Sequence, residues 1–207
     1  MGIETFGVRL ISDKIEDADV LCLGYPDIIT TQLPYKDPTI RDRQGQHGGG
    51  TCIDTDEFFA NLGAKSVRYI DVNCFHGVEE VIDLNYPHDL GQYDLVIDPG
   101  TLEHCFNIGQ AWINAANAIR EGGYIYHNNP ITMVNHGIWS FNPTGYHDFY
   151  TQNGFTCDMY IQHEKNVYNV TGDVIRRHFK SETLSQVIAQ RVTKQPLIYP
   201  TQTKYLK

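Results

Sequence analysis

Three carboxylates stand where strand-like runs of this chain stop: Asp71, Asp83 and Asp98. A carboxylate in such a place can accept both protons of a vicinal diol, or the protons of an exocyclic amine. Gly24 ends another apolar run, Asp19 to Leu23, and a residue without a Cβ lets backbone approach a ligand closely. Farther along, His127-Asn128-Asn129, Asn135-His136 and Trp139 lie in one polar stretch. A histidine there could remove a proton from an acceptor near neutrality, and the amides could hydrogen-bond a polar acceptor. His127 and His136 are the candidate bases, with His104, Asn128, Asn135 and Trp139 as candidate substrate contacts. Cys105 adjoins His104 but reads as a core thiol, since nothing nearby lowers its pKa. The nine histidines match no zinc spacing such as H-E-x-x-H, so no metal is expected.

Those residues need strands to hold them. Apolar or β-rich runs occur at 19–24, 66–72, 79–84, 93–98 and 124–127. Continuous apolar runs suit strands buried on both faces of a parallel sheet. Helical periodicity appears from Ile108 to Arg120, stopped by Glu121-Gly122-Gly123, and a short helix is read over 146–153. Strands alternating with helices predict a doubly wound, mostly parallel α/β sheet, closed by a C-terminal antiparallel hairpin from runs at 156–162 and 184–192. In such sheets ligands sit beyond the C-terminal strand ends, where Gly24, Asp71, Asp83 and Asp98 gather. Residues 1–207 read as one domain. The stretch 30–55, rich in Pro, Gly and polar residues, reads as a long loop able to close as a lid.

Bulk properties narrow the partners. The chain is 41% hydrophobic and 20% charged, the balance of a folded soluble domain, with a formal charge of -9. That charge argues against binding duplex nucleic acid and favours a small-molecule substrate, with a homo-oligomer allowed. Five scattered cysteines without a C-x-x-C pair, no secretory leader pattern and no membrane-length apolar run predict reduced thiols, a cytoplasmic location and no membrane partner.

With the strand ends in view, residues 19 to 155 resemble the class I S-adenosylmethionine (SAM)-dependent methyltransferases, which implies a Rossmann-like fold. Leu21-Cys22-Leu23-Gly24 resembles the family's first glycine motif. Asp71 resembles its ribose-holding acid, and Asp83-Leu84-Asn85 the segment that meets adenine. Tyr93 to Asp98 with Leu102-Glu103-His104 resembles the fourth strand and its loop, and Ile119 to Tyr124 the turn into the fifth. The resemblance implies SAM as cofactor, held by Gly24, Tyr25, Pro26, Asp71, Val72, Asp83, Leu84, Asp98 and Pro99. It implies methyl transfer to a small polar or sugar-like acceptor. Some relatives bind a divalent metal near this position, but Pro99 and Gly100 add no carboxylate here. The chain departs from the family where a glycine-rich loop gives way to Gly24-Tyr25-Pro26-Asp27. That departure keeps two alternatives open: a SAM- or nucleoside-binding module without methyl transfer, and a SAM-cleaving enzyme.

Overall fold

A computed structural model describes residues 2–43, 50–170 and 179–206. The chain begins with β1 (Gly2–Glu4) and α1 (Thr5–Ile11), followed by β2 (Asp19–Leu23), β3 (Asp27–Ile29), β4 (Ile40–Asp42), β5 (Thr51–Ile53) and α2 (Thr55–Asn61). It continues through β6 (Ser66–Asp71), β7 (Glu80–Val81), β8 (Tyr93–Asp98), α3 (Ile108–Asn117) and β9 (Ile119–Pro130). Helix α4 (Pro143–Gln152) then leads into β10 (Phe155–His163), β11 (Asn166–Val170) and β12 (Thr183–Arg191).

The expected doubly wound, mostly parallel Rossmann-like sheet is not what forms. Among the described residues the larger sheet has eight strands in the order β11-β10-β12-β9-β8-β2-β6-β7, and a second sheet has four, β1-β3-β5-β4. In the larger sheet β7, β6, β2, β8 and β9 run parallel, but β9 pairs antiparallel with β12, β12 with β10, and β10 with β11. The longest strands, β9, β10 and β12, make those antiparallel ladders. Among the described residues no helix lies between β6 and β8, so the helical crossovers that define double winding are missing there. The physical cause is in residues 72–92, a stretch interrupted by Gly77, Pro87 and Gly91 and without a helical apolar period. The result is a sheet-rich mixed α/β molecule.

The alternation of side chains explains how the larger sheet is buried. On β2, Leu21 and Leu23 join a core with α3 and α4, while Val20 and Cys22 join a second core with α1 and α2. Val96 against Leu95 and Ile97 repeats the pattern on β8. Helix ends follow local rules. Asp54 accepts from the Glu57 amide at 2.9 Å to cap α2, with Asp56 and Glu57 in its positive first turn. Asn142 accepts from the Thr144 amide at 3.0 Å, ahead of Pro143 at the start of α4.

The stretch 30–55 is not one long irregular loop. Its described ends supply β4 and β5, which pair with each other and, through β5, with β3. Its central residues 44–49, including Gly48 and Gly49, lie outside the described residues. Among the described residues no helix is long and apolar enough to cross a membrane.

Candidate functional site

Gly24 closes β2 with φ +89° and donates its amide to Ile70 O at 2.6 Å. A Cβ there would stand 2.9 Å from Thr101 Oγ1 and 3.4 Å from Asp71 Oδ2, so only glycine fits this turn without displacing a neighbour. Strands β6 and β8 flank β2, and the chain crosses from one side of it to the other. The ends of β2, β6 and β8 therefore meet at a switch point, where ligands of parallel strands lodge. Asp71 is half-buried and accepts from the Asn73 amide at 3.3 Å. Asp83 accepts from the amide and side chain of Asn85 at 2.9 and 2.7 Å. Leu84 and Pro99 are buried, and Val72 is exposed.

The residues after Gly24 turn inward. The Tyr25 ring stacks on His76, centroids 4.3 Å apart, and leans on Tyr69. Burial and the charge of Asp56 push its hydroxyl up to about 12. Pro26 is buried, its carbonyl accepting from Thr55 Oγ1 at 2.7 Å.

Asp98 is not at the surface. It is fully buried and accepts from the amides of Thr101 (2.8 Å) and Leu102 (3.2 Å), from His127 Nδ1 (2.8 Å) and from Asn129 Nδ2 (2.9 Å). Four donors fill the acceptor sites of one carboxylate. Burial alone would raise its pKa, but the His127 bond and charge, the Thr101 amide and Asn129 hold it below the ordinary carboxylate range. His127 is equally buried, and its Nε2 lies 2.5 Å from the Tyr150 hydroxyl. With Nδ1–H given to Asp98, Nε2 is the acceptor of the Tyr150 proton, and Trp112 Nε1 donates to Tyr150 at 3.1 Å. The candidate base His127 is thus a core residue.

Asn129 links this network to the rim. Its amide also donates to Glu103 Oε2 at 2.9 Å, and its carbonyl accepts from the Tyr146 hydroxyl. Glu103 is fully buried, and burial followed by the charge of Asp98 pushes its carboxyl up to about 8. Its Oε1 has no hydrogen-bond partner among the described residues. His136 Nε2 lies 3.5 Å from that oxygen and His104 Nε2 4.0 Å. The segment after Pro130 is strapped over Glu103 by the amides of Ile138 and Trp139, which donate to its carbonyl at 2.8 and 3.1 Å. Gly137 permits that approach, since a Cβ would fall 2.7 Å from Glu103 Cγ and 3.0 Å from its carbonyl oxygen. Trp139 donates its indole N–H to Cys105 O at 3.0 Å, and Asn135 forms the exposed left-handed turn, φ 62°. Burial pushes the Cys105 thiol up to about 12, the behaviour of an inert core thiol.

Asn128 points to the opposite face of β9 from its neighbours. Its Nδ2 donates to Gly2 O at 2.8 Å, and its buried Oδ1 has no partner among the described residues. It lines a cleft of about 600 Å³ where Gly2, Glu4 and Ile29 meet Gln162 and Leu184.

The fold therefore gathers Gly24, Asp71 and Thr101 at one switch point, and Glu103, His104 and His136 at a second point. It sends Asp98 and His127 into the core. The sequence does not single out Thr101, Tyr146 or Tyr150, and it offers Asn129 only as a possible acceptor contact, because their roles come from neighbours distant in the chain. Compared with known proteins, the chain matches no family model and no curated sequence.

Proposed function

We propose that the protein is a SAM-dependent methyltransferase acting on a small polar or sugar-like acceptor. One observation carries the reading: at the end of β6, the Asp71 carboxylate faces the glycine turn of β2, and among the described residues only the Asn73 amide donates a hydrogen bond to it. A half-buried carboxylate with acceptor capacity to spare, beside a turn that tolerates no Cβ, suits the ribose diol of an adenosine. Asp83, at the next position along the sheet edge, suits the exocyclic amine of the base. SAM supplies an electrophilic methyl group; what the protein adds is alignment of the acceptor atom with it. With His127 enclosed, the acceptor side of the reaction falls to the rim, where Glu103, His104 and His136 converge.

Isothermal titration with SAM tests the reading. Wild-type protein is expected to bind, and Asp71→Ala to bind about 10- to 100-fold more weakly, the loss of one or two hydrogen bonds to a charged acceptor. Lack of binding by folded wild-type protein overturns the reading.

A second reading, nucleoside binding without transfer, is favoured by the burial of His127 and by Tyr25 filling the space beside His76 and Tyr69. Saturable SAM binding with no methylated product from any polar acceptor would select it.

A further inference from the structure

We propose that Glu103, His104 and His136 form a binding site for one divalent transition-metal ion, held by a carboxylate oxygen and two imidazole nitrogens. One ligand atom from each residue lies within 4.8 Å of the others. Glu103 Oε1 is 3.5 Å from His136 Nε2 and 4.0 Å from His104 Nε2. Both separations exceed a sound hydrogen bond. Two atoms bound about 2.0–2.1 Å from a tetrahedral ion stand roughly 3.3 Å apart, so a cation at the centre draws His136 Nε2 toward Glu103 Oε1 by about 0.2 Å and the more exposed His104 Nε2 by about 0.7 Å.

The buried oxygen is the second, independent sign. Glu103 is fully enclosed, yet Oε1, the oxygen aimed at the two imidazoles, receives no hydrogen bond among the described residues. A buried acceptor left without a donor costs about 1–3 kcal/mol, and a cation removes that cost. The carboxylate is also oriented from behind, as metal-binding carboxylates are: Oε2 accepts from Asn129, which Tyr146 holds in turn. Gly137 and the strap of Ile138 and Trp139 amides keep His136 against Glu103, although the two are far apart in the chain. His104 is 46% exposed and His136 12%, so the open coordination positions face solvent and can take water or a ligand oxygen.

The donor set selects the ion. Two imidazoles and one carboxylate suit zinc, ferrous iron or cobalt, whereas magnesium and calcium seek oxygen donors. This inference goes beyond the methyl-transfer reading and stands on different residues from those proposed to hold SAM.

The test uses untagged full-length protein, stripped with a chelator and titrated with Co²⁺ as the probe, read by visible absorption and by zinc displacement. The expected result is one equivalent bound per chain. His104→Ala and His136→Ala should each bind at least about tenfold more weakly, the scale of losing a coordinating or supporting group, with far-UV circular dichroism unchanged. A His–Glu ion pair without a metal is the rival and predicts no stoichiometric uptake. Absence of one-equivalent binding by wild type, or binding by either folded variant within about tenfold of wild type, overturns the proposal. Should His136→Ala fail to fold, His104→Ala, altered at the most exposed of the three side chains, decides alone. No SAM enters the titration, so its failure leaves the methyl-transfer reading standing, and failure to bind SAM leaves the metal site standing.

Discussion

Asp71 and Asp98 both end an apolar run and both follow it with a turn, yet they have opposite fates. Asp71 keeps a face toward solvent, while Asp98 sits in the core under His127, Asn129 and two amides. What separates them is the element that follows: Asp98 precedes the turn Leu102–His104, whose first amides fold back onto its carboxylate. No property of the residue itself carries that difference. Removing such a buried charge leaves several donors without an acceptor, so Asp98→Ala is expected to destabilise the fold by about 3–5 kcal/mol. Urea denaturation of the variant measures this, and a loss below about 1 kcal/mol would show that the network contributes little.

Among the elements, β2, β6 and β8 were legible because an apolar run enclosed on both sides leaves an unbroken signature. Strands β3, β4 and β5 have three residues each, too few for any period to register. They are held instead by charge. Asp27 on β3 pairs with Arg41 on β4 and with Arg43, both at 3.0 Å, and Arg41 also donates to Thr55 Oγ1 at 3.0 Å. Asp27→Asn weakens both pairs, and hydrogen exchange should quicken at Ile40–Asp42 and Thr51–Ile53 while amides of Tyr93–Asp98 keep their protection. Equal exchange in both regions would mean that the small sheet does not depend on these pairs. From the sequence, β9 is expected to start at Tyr124, because Glu121-Gly122-Gly123 looks like a stop. The strand in fact begins at Ile119 and carries the glycines as an irregularity, with its register against β8 shifting between Tyr93 and Leu95.

For the whole molecule, several carboxylates share one acid-sensitive window. Asp19 is held down to about 2 by hydrogen bonds from Lys65, Ser66 and Arg120. Burial works the other way at Asp27, but Arg43, Cys52 and Arg41 outweigh it and hold it low, as His127 and its neighbours do for Asp98. A carboxylate whose folded pKa lies below its unfolded value of about 4 contributes stability that is fully present above that pH. The contribution is lost as pH falls through the folded value. Chemical denaturation is therefore expected to show lower stability at about pH 3 than at about pH 5, and an unchanged midpoint would contradict the pairing described. The same scale sets what could be known in advance. The sequence alone placed, to within a residue, the strand ends at Leu23, Asp71 and Asp98, because apolar patterning and turn chemistry are local properties. Tertiary structure alone decided the antiparallel pairing of β9 with β12 and of β10 with β11, the second sheet, the burial of His127 and the meeting of Glu103 with His136. Each of these depends on contacts between segments far apart in the chain, and only packing chooses among such contacts.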